Sequence, residues 1–567
     1  MKRPATPLRL RRGRRIVVVA VLVLLGLMPS VAEGTTGQHE LIQGTGSTWS
    51  QNIVTQWSTD EDAYGIKVVY TGGGSSRGRK DFAQCSDDFA ISEIPYQGVD
   101  EFGAADTNNG RPYAYLPIVA GGTAFTYQLK VGNTFVRNLR LSGDTIAKIF
   151  TNQIVNWNDP AITKDNNGHA MPSLAITPVV RSDGSGTTAQ FTTWLDHQYP
   201  SIWRPFFGRS GLTSYFPRKG RAIGAAGSDQ VMNQIASFSG NGTIGYVEYS
   251  YPINKTAPDG KPYPVVKVLN KGGYYVEPTQ YNVAVALTKA KINQDKSSQL
   301  YLTQILDGVY NATDPRAYPL SSYSYMIIPT GAKDCPNGGG AGTMTTDKRQ
   351  TLADFLSYSL CSGQTKAGPF GYSPLPLNLV QAGFQQIAKL KQADPNVDLA
   401  NSDIHKCNNP TFVAGDLSKN RLAEIAPQPA SCDKLGAGPC GTDTGTNTPS
   451  TNNNSSSIPA AGSPATTGKS TGGTSTGASR GTTAPGSAPA SVDPATGLVT
   501  GGGTTTSTSD QLVSASATEL VAARASDRTP FAWLAVAELV ALVMLPGLFV
   551  AYLRRRRPVG TVTKGGR

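Results

Sequence analysis

The chain has 567 residues, more than one ordinary domain needs and enough for a large two-lobed core with additions. With 39% hydrophobic residues and 62 glycines, part of it is too poor in core-forming side chains to fold. The net charge of +12 sits at the two ends, because residues 1–32 and 554–567 hold 7 and 6 cations and no acid. The body between them is near neutral, which removes the case for a basic nucleic-acid-binding face.

At the start, Lys2, Arg3, Arg9, Arg11, Arg12, Arg14 and Arg15 precede the apolar run Ile16–Met28, and Pro29-Ser30-Val31-Ala32 follows. This reads as a signal peptide over residues 1–32, cleaved near Ala32, since a run of about 13 apolar residues is short for a span. No cysteine lies near that point, so no lipid anchor is expected. Residues 33–440 then have the variety of a folded ectodomain. Leu41-Ile42 leads through a Gly/Ser loop to a helix carrying Trp49, Ile53, Val54 and Trp57 on one side. Residues 66–70 read as a strand followed by a second Gly/Ser loop. Residues 175–180 form another, followed by a helix with Phe191, Trp194 and Leu195 at helical spacing, and 244–247 a short strand. Strands alternating with helices predict an α/β fold with parallel crossings.

Six cysteines in an exported chain suggest disulfides, with 15 pairings open if all are bonded. The expectation is Cys335 with Cys361, and Cys407 with Cys432 or Cys440, with Cys85 unassigned. No CxxC spacing occurs and His39, His169, His197 and His405 are scattered, so neither a metal site nor a cofactor is expected. Residues 441–529 collapse to Thr, Ser, Gly, Ala, Pro and Asn and predict a disordered stalk, roughly 50 Å long on average. Residues 530–553 are apolar apart from Glu538 and predict one transmembrane helix. Arg554–Arg557 follow at once, so residues 554–567 are expected to be a cytoplasmic tail with the body outside the membrane.

Three times a strand gives way to a Gly/Ser/Thr loop that opens a helix: residues 44–50, 72–78 and 181–188. A helix start leaves backbone N–H groups unpaired and carries partial positive charge, glycine lets the backbone approach a ligand, and hydroxyls add donors. An anion is the natural occupant. No Gly-Lys-Ser/Thr follows any of the loops, so this is not the phosphate-cradling loop of nucleotide hydrolases. In the third loop Arg181 can fork onto an oxyanion while Asp183 holds it in place.

The ordered set of loops resembles the phosphate-binding protein family, the capture subunit of the phosphate ABC transporter (PstS type). The residues that carry the likeness are Thr48-Trp49, Ser75-Ser76, Asp88-Phe89-Ala90-Ile91-Ser92-Glu93 and Arg181-Ser182-Asp183-Gly184-Ser185-Gly186-Thr187. Ile149-Phe150, Asn156-Trp157-Asn158-Asp159, the run Gly242–Tyr249 and Gly371–Pro376 extend it over roughly residues 40–390. The resemblance implies a two-lobed type II periplasmic-binding-protein (Venus flytrap) fold, with lobe one near residues 39–117 and 285–440 and lobe two near 118–284. Hinges are expected near residues 115–120 and 282–287. It implies phosphate contacts from Thr48, Trp49 N–H, Ser75, Arg181, Ser185, Gly186 N–H and Thr187, with Asp183 bracing Arg181. Glu93 stands where the family has Asp, in the role of accepting a proton from a protonated phosphate.

The expected protein is a monomeric, membrane-tethered binder of inorganic phosphate or a similar oxyanion on the extracytoplasmic side, handing its ligand to ABC permease subunits. It is not expected to be an enzyme or to bind nucleic acid. A surface sensor or adhesin on the same fold is the first alternative, favoured by the stalk. A hydrolase using Ser185, Ser75 or Ser47 is the second, and it lacks a nucleophile-elbow context and a histidine placed as base.

Overall fold

The computed structural model describes residues 39–440 except 299, 337–339, 341 and 414–415, together with the pairing of Ser491–Val492 with Val499–Thr500. The expected signal peptide, transmembrane helix and basic tail lie outside the described residues, as does the expected stalk apart from that pairing.

An eight-stranded sheet organises the molecule. Its strands are β1 (Ile42–Gly46), β2 (Val68–Gly72), β3 (Phe89–Ser92), β4 (Tyr113–Gln128), β5 (Thr177–Arg181), β6 (Ile223–Ala225), β7 (Thr243–Glu248) and β8 (Ser321–Pro329), in the order β6-β5-β7-β4-β8-β3-β1-β2. On one side β2, β1 and β3 run parallel, and on the other β6, β5 and β7 do. The two halves meet through the antiparallel pair β4 and β8.

The register places the cleft. Ser92 at the end of β3 lies opposite Tyr325 of β8, which lies opposite Pro117 of β4, while Glu248 at the end of β7 lies opposite Thr123 of β4. Both parallel halves therefore point their C-terminal ends at the middle of β4, separated along it by roughly 20 Å. Loops leaving those ends must face one another, as ligand-binding loops do in open α/β sheets.

Beyond Tyr113, β4 is buried along its whole length because helices cover it, among them α6 (Gln280–Leu287) and α8 (Leu377–Ala393). Pro117 cannot donate to the ladder, and the register slips there, with Ser324 opposite Val119 but Tyr325 opposite Pro117. Such a bulge bends the strand where the halves join. Residues 115–120 thus lie at the junction. Residues 282–287, expected as the second hinge, belong instead to α6, and the second strand shared by the halves is β8.

Helices follow the parallel strands: α1 (Gln51–Asp62), α2 (Ser75–Ala83), α4 (Gly186–Gln198) and α5 (Gly227–Ile235), while α3 (Gly143–Phe150) precedes β5. α1 buries Ile53, Val54 and Trp57, the face expected from the sequence, whereas Trp49 precedes the helix. In the second half Phe125, Phe150, Phe191, Phe216 and Tyr246 form an aromatic core with centroids 5.0–6.2 Å apart.

All six cysteines are paired, in a pattern that corrects the expected one: Cys85–Cys335, Cys361–Cys407 and Cys432–Cys440. Sequence proximity misled because α7 (Thr346–Leu360) carries Cys361 away from Cys335. Arg111 instead ties the Cys335 loop to the Cys85 turn, donating to Phe82 O and Asp87 O as well as to Asp334 and Gly342 O. After α8 the chain runs back across the molecule. Thr411 Oγ1 donates to Leu375 O at 2.8 Å and Arg421–Ile425 pack on α6. Residues 431–440, expected with the first lobe, lie on the second half. There Lys267 forms a buried pair with Asp433 at 2.8 Å, and Asn138 Nδ2 donates to Cys440 O at 2.7 Å.

Candidate anion-binding cleft

The first half contributes three strand ends. After β1 the chain turns so that Ser47 and Thr48 are buried, with Ser47 N donating to Ile91 O at 2.9 Å. After β2, Gly73 N and Gly74 N both donate to Gly46 O at 2.8 Å, which fixes Ser75 at the first position of α2. Gly74 has φ +90°, and a Cβ there would stand 2.7 Å from Asp183 Oδ2 of the other half, so only glycine suits the position. After β3, Glu93 is buried. Ser47 Oγ donates to its Oε1, and Ser75 Oγ donates to its Oε2 at 2.6 Å.

The second half contributes β5 and β6. Arg181 ends β5 and is buried; its Nε donates to Asp183 Oδ1 at 2.7 Å and its Nη2 to Asp183 Oδ2. Asp183 also accepts from Gly227 N, the start of α5, at 3.0 Å. Ser185 caps α4, accepting from Thr188 N at 3.1 Å, and its own N–H donates to Ser214 O at 3.0 Å. The next two amides, Gly186 and Thr187, have no intrahelical acceptor by helix geometry. Thr187 Oγ1 is buried without a hydrogen-bond partner among the described residues, a cost of about 1–3 kcal/mol unless something else pairs it.

The two halves meet at these residues. Thr48 Oγ1 lies 3.0 Å from Ser228 Oγ and accepts from Ser228 N at 3.2 Å. Ser76 N donates to Gly184 O at 3.1 Å. A Cβ on Gly186 would overlap the Glu93 carboxylate and the Ser75 hydroxyl, so the first-half acid and hydroxyl lie directly on the start of α4. Gln190 Nε2 of α4 donates to Glu93 O at 2.7 Å.

Electrostatics divide the site. Burial pushes the Glu93 carboxyl above its ordinary range, opposed by the Ser47 and Ser75 hydrogen bonds and by Arg181. Burial would raise Asp183 too, but the Arg181 guanidinium outweighs it and holds Asp183 low; reciprocally, Asp183 outweighs the effect of burial on Arg181 and raises it. The cation and its brace are thus both charged, and their pair is about neutral in sum. The donors left to face an anion are largely neutral amides and hydroxyls.

The structure brings Thr48, Ser75, Glu93, Arg181, Asp183, Ser185, Gly186 and Thr187 into one cleft. Trp49 follows Thr48 there, while its indole packs against Gly121 and edge-on to Tyr372 at 6.0 Å. The sequence reading passed over three participants. Ser47, in the sequence one hydroxyl of the 44–50 loop and a candidate nucleophile, is in the structure a donor to Glu93. Ser228 lies 3.5 Å from Arg181 Nη1, and Tyr251 O–H donates to Thr48 O. Gly227-Ser228 after β6 is a fourth strand–glycine–hydroxyl–helix junction, but one glycine gave too faint a signal. Tyr251 comes close only through tertiary packing.

Facing helix starts at the joint of a two-half α/β sheet define a cleft-type solute-binding protein. The PBP superfamily domain (PBP_like_2) matches residues 30–362. The phosphate-binding protein PstS of Xylella fastidiosa (strain Temecula1) is 30% identical over 342 residues, covering 60% of this chain and 83% of that protein. PstS of Methanocaldococcus jannaschii is 28% identical over 364 residues, covering 62% and 87%. Among solved structures, a phosphate-binding protein from Stenotrophomonas maltophilia aligns with a TM-score of 0.44 at 17% identity, covering 60% of this chain and 92% of that one. The chain belongs to the PBP superfamily and is a PstS-type member of it.

Proposed function

We propose that this chain captures inorganic phosphate outside the cytoplasm and delivers it to an ABC transporter. The observation that carries the reading is the seating of the first-half acid and hydroxyl, Glu93 and Ser75, on the Gly186 start of α4 beside the Arg181–Asp183 pair. An oxyanion there would take the Gly186 and Thr187 amides, the Thr187 and Thr48 hydroxyls and the free edge of Arg181, with the Ser75 hydroxyl joining when it turns from Glu93. Phosphate keeps at least one proton at neutral pH and sulfate keeps none. Each Glu93 oxygen accepts one serine hydroxyl and retains capacity for a second donor, so a protonated oxyanion is welcome and a bare one is repelled.

The chain works as a binder and not as an enzyme, in line with relatives named as phosphate-binding proteins. Cleavage after residue 32, a stalk over 441–529 and a span over 530–553 would hold the cleft on the outer face of the membrane, with residues 554–567 inside. Calorimetric titration of the protein with phosphate, arsenate and sulfate tests the assignment. Saturable binding of phosphate and arsenate with sulfate excluded is expected; no heat of binding with phosphate overturns it.

A further inference from the structure

Residues 98–106 form a hairpin on the first half, with Gly98 opposite Asp106 and Val99 opposite Ala105. Its base is pinned by the buried Arg79–Asp106 pair, Nε to Oδ1 at 3.0 Å and Nη2 to Oδ2 at 2.7 Å. Its turn is pinned by Asp100 Oδ1, which accepts from Phe102 N at 3.0 Å and Ala104 N at 2.8 Å. A short hairpin held at both ends presents its tip, Glu101 and Phe102, in a fixed direction.

That direction is across the cleft. Glu101 Oε1 accepts from Thr213 Oγ1 at 3.2 Å and from Ser214 N, and Phe102 meets Tyr215 edge-on with centroids 4.8 Å apart. Thr213 and Ser214 are each 1% exposed, whereas Phe102 is 74% exposed, so the ring is a surface apolar group spent on one contact with the opposite half. The loop it holds adjoins the anion loop. Ser214 O accepts from Ser185 N, and a Cβ on Gly184 would come 2.7 Å from the Tyr215 hydroxyl.

We propose that Glu101 and Phe102 are a clasp that holds the cleft closed over its anion and positions Ser185 through Ser214. The inference rests on the capture reading above. The clasp contacts exist only with the halves together, so they govern escape of the ligand more than its encounter. Opening the cleft costs the charge-assisted bond from Ser214 N, and truncating Glu101 leaves that buried amide unpaired in the closed form, while Thr213 Oγ1 keeps Tyr215 O at 3.1 Å.

The test is stopped-flow phosphate binding and release by the full chain and its Glu101→Ala, Glu101→Gln and Phe102→Ala variants, with amide exchange at Ser214 and Ser185. Glu101→Ala is expected to raise the release rate about tenfold with the association rate within about twofold. Glu101→Gln, which keeps a carbonyl acceptor, recovers most of the difference, and Phe102→Ala gives a smaller rise. Exchange at Ser214 speeds up in Glu101→Ala even without phosphate. Unchanged release together with unchanged Ser214 exchange overturns the clasp. If the unmodified chain takes up no phosphate, the capture reading fails on its own, and the exchange measurement still decides whether the clasp exists.

Discussion

Each half of the sheet brings a buried glutamate to the end of its innermost parallel strand, Glu93 just after β3 and Glu248 at the end of β7. Burial raises the pKa of both. Their surroundings differ. Both oxygens of Glu93 are met by hydroxyls from separate loops, and Arg181 of the opposite half acts on it. Glu248 Oε2 accepts from Ser250 N at 2.5 Å, the Ser250 side chain and the Tyr249 backbone act on the same carboxyl, and its Oε1 has no partner among the described residues, lying near Gly121 and the Trp49 ring. The strand end alone does not make a site. The loops that converge on it do, and only the first acid lies on a helix start from across the cleft.

The sharpest way to break this comparison is to remove the cation that answers Glu93 from the other half. Arg181→Ala deletes the fork and leaves Asp183 with backbone amides, Gly227 N and its own. Truncating one member of a buried hydrogen-bonded pair costs about 2–5 kcal/mol, so phosphate affinity should fall on the order of a thousandfold. Unchanged calorimetric affinity would remove Arg181 from the site.

Glu93→Gln probes the first half. It keeps the side chain's length while replacing an acceptor with a donor, so the variant no longer repels an anion without a proton. The phosphate-over-sulfate preference should shrink about a hundredfold, mostly through gained sulfate binding. Competition between the two anions on the variant measures it, and sulfate still excluded would show that Glu93 does not read the proton.

How much of this was legible in the sequence follows the range of the interactions. The α/β alternation, the helix face of Ile53, Val54 and Trp57, and the anion loop from Arg181 to Thr187 are set within a few residues, and local pattern reveals them. The convergence of Thr48, Ser75 and Glu93 was reached by resemblance, since nothing local says that residues far apart in the chain meet. What escaped depends on contacts between distant segments. Cys85 meets Cys335 over a separation of 250 residues because Arg111 draws two loops together. Residues 431–440 return to the second half through Lys267 and Asp433, a pairing without sequence periodicity. Residues 282–287, expected as a hinge, are a helix buried along its whole length with Arg421–Ile425 packed on it, a placement set by segments far away in the chain.

The smallest effect tests the burial of Glu248 through its proton. Glu248 has an ordinary pKa of 4.5 and a folded-state value well above it, because burial penalises the charged form and Oε1 has no partner. Between those two values the folded chain holds a proton that the unfolded chain has released. The associated stability is therefore complete below pH 4.5 and drains away as the pH climbs toward the folded value, at about 1.4 kcal/mol per pH unit. Glu248→Gln cannot ionise and escapes that loss. Its thermal midpoint should match the unmodified chain near pH 4 and exceed it by a few degrees near pH 8, at about 1 °C per kcal/mol for a folded body of roughly 400 residues. Other buried acids, including Glu61 with a pKa raised to about 7 by burial and by Asp354, keep a residual slope in both proteins, so the difference between the two curves is the quantity to read. A constant offset from pH 4 to pH 8 would mean that burial does not hold a proton on Glu248 in the folded chain.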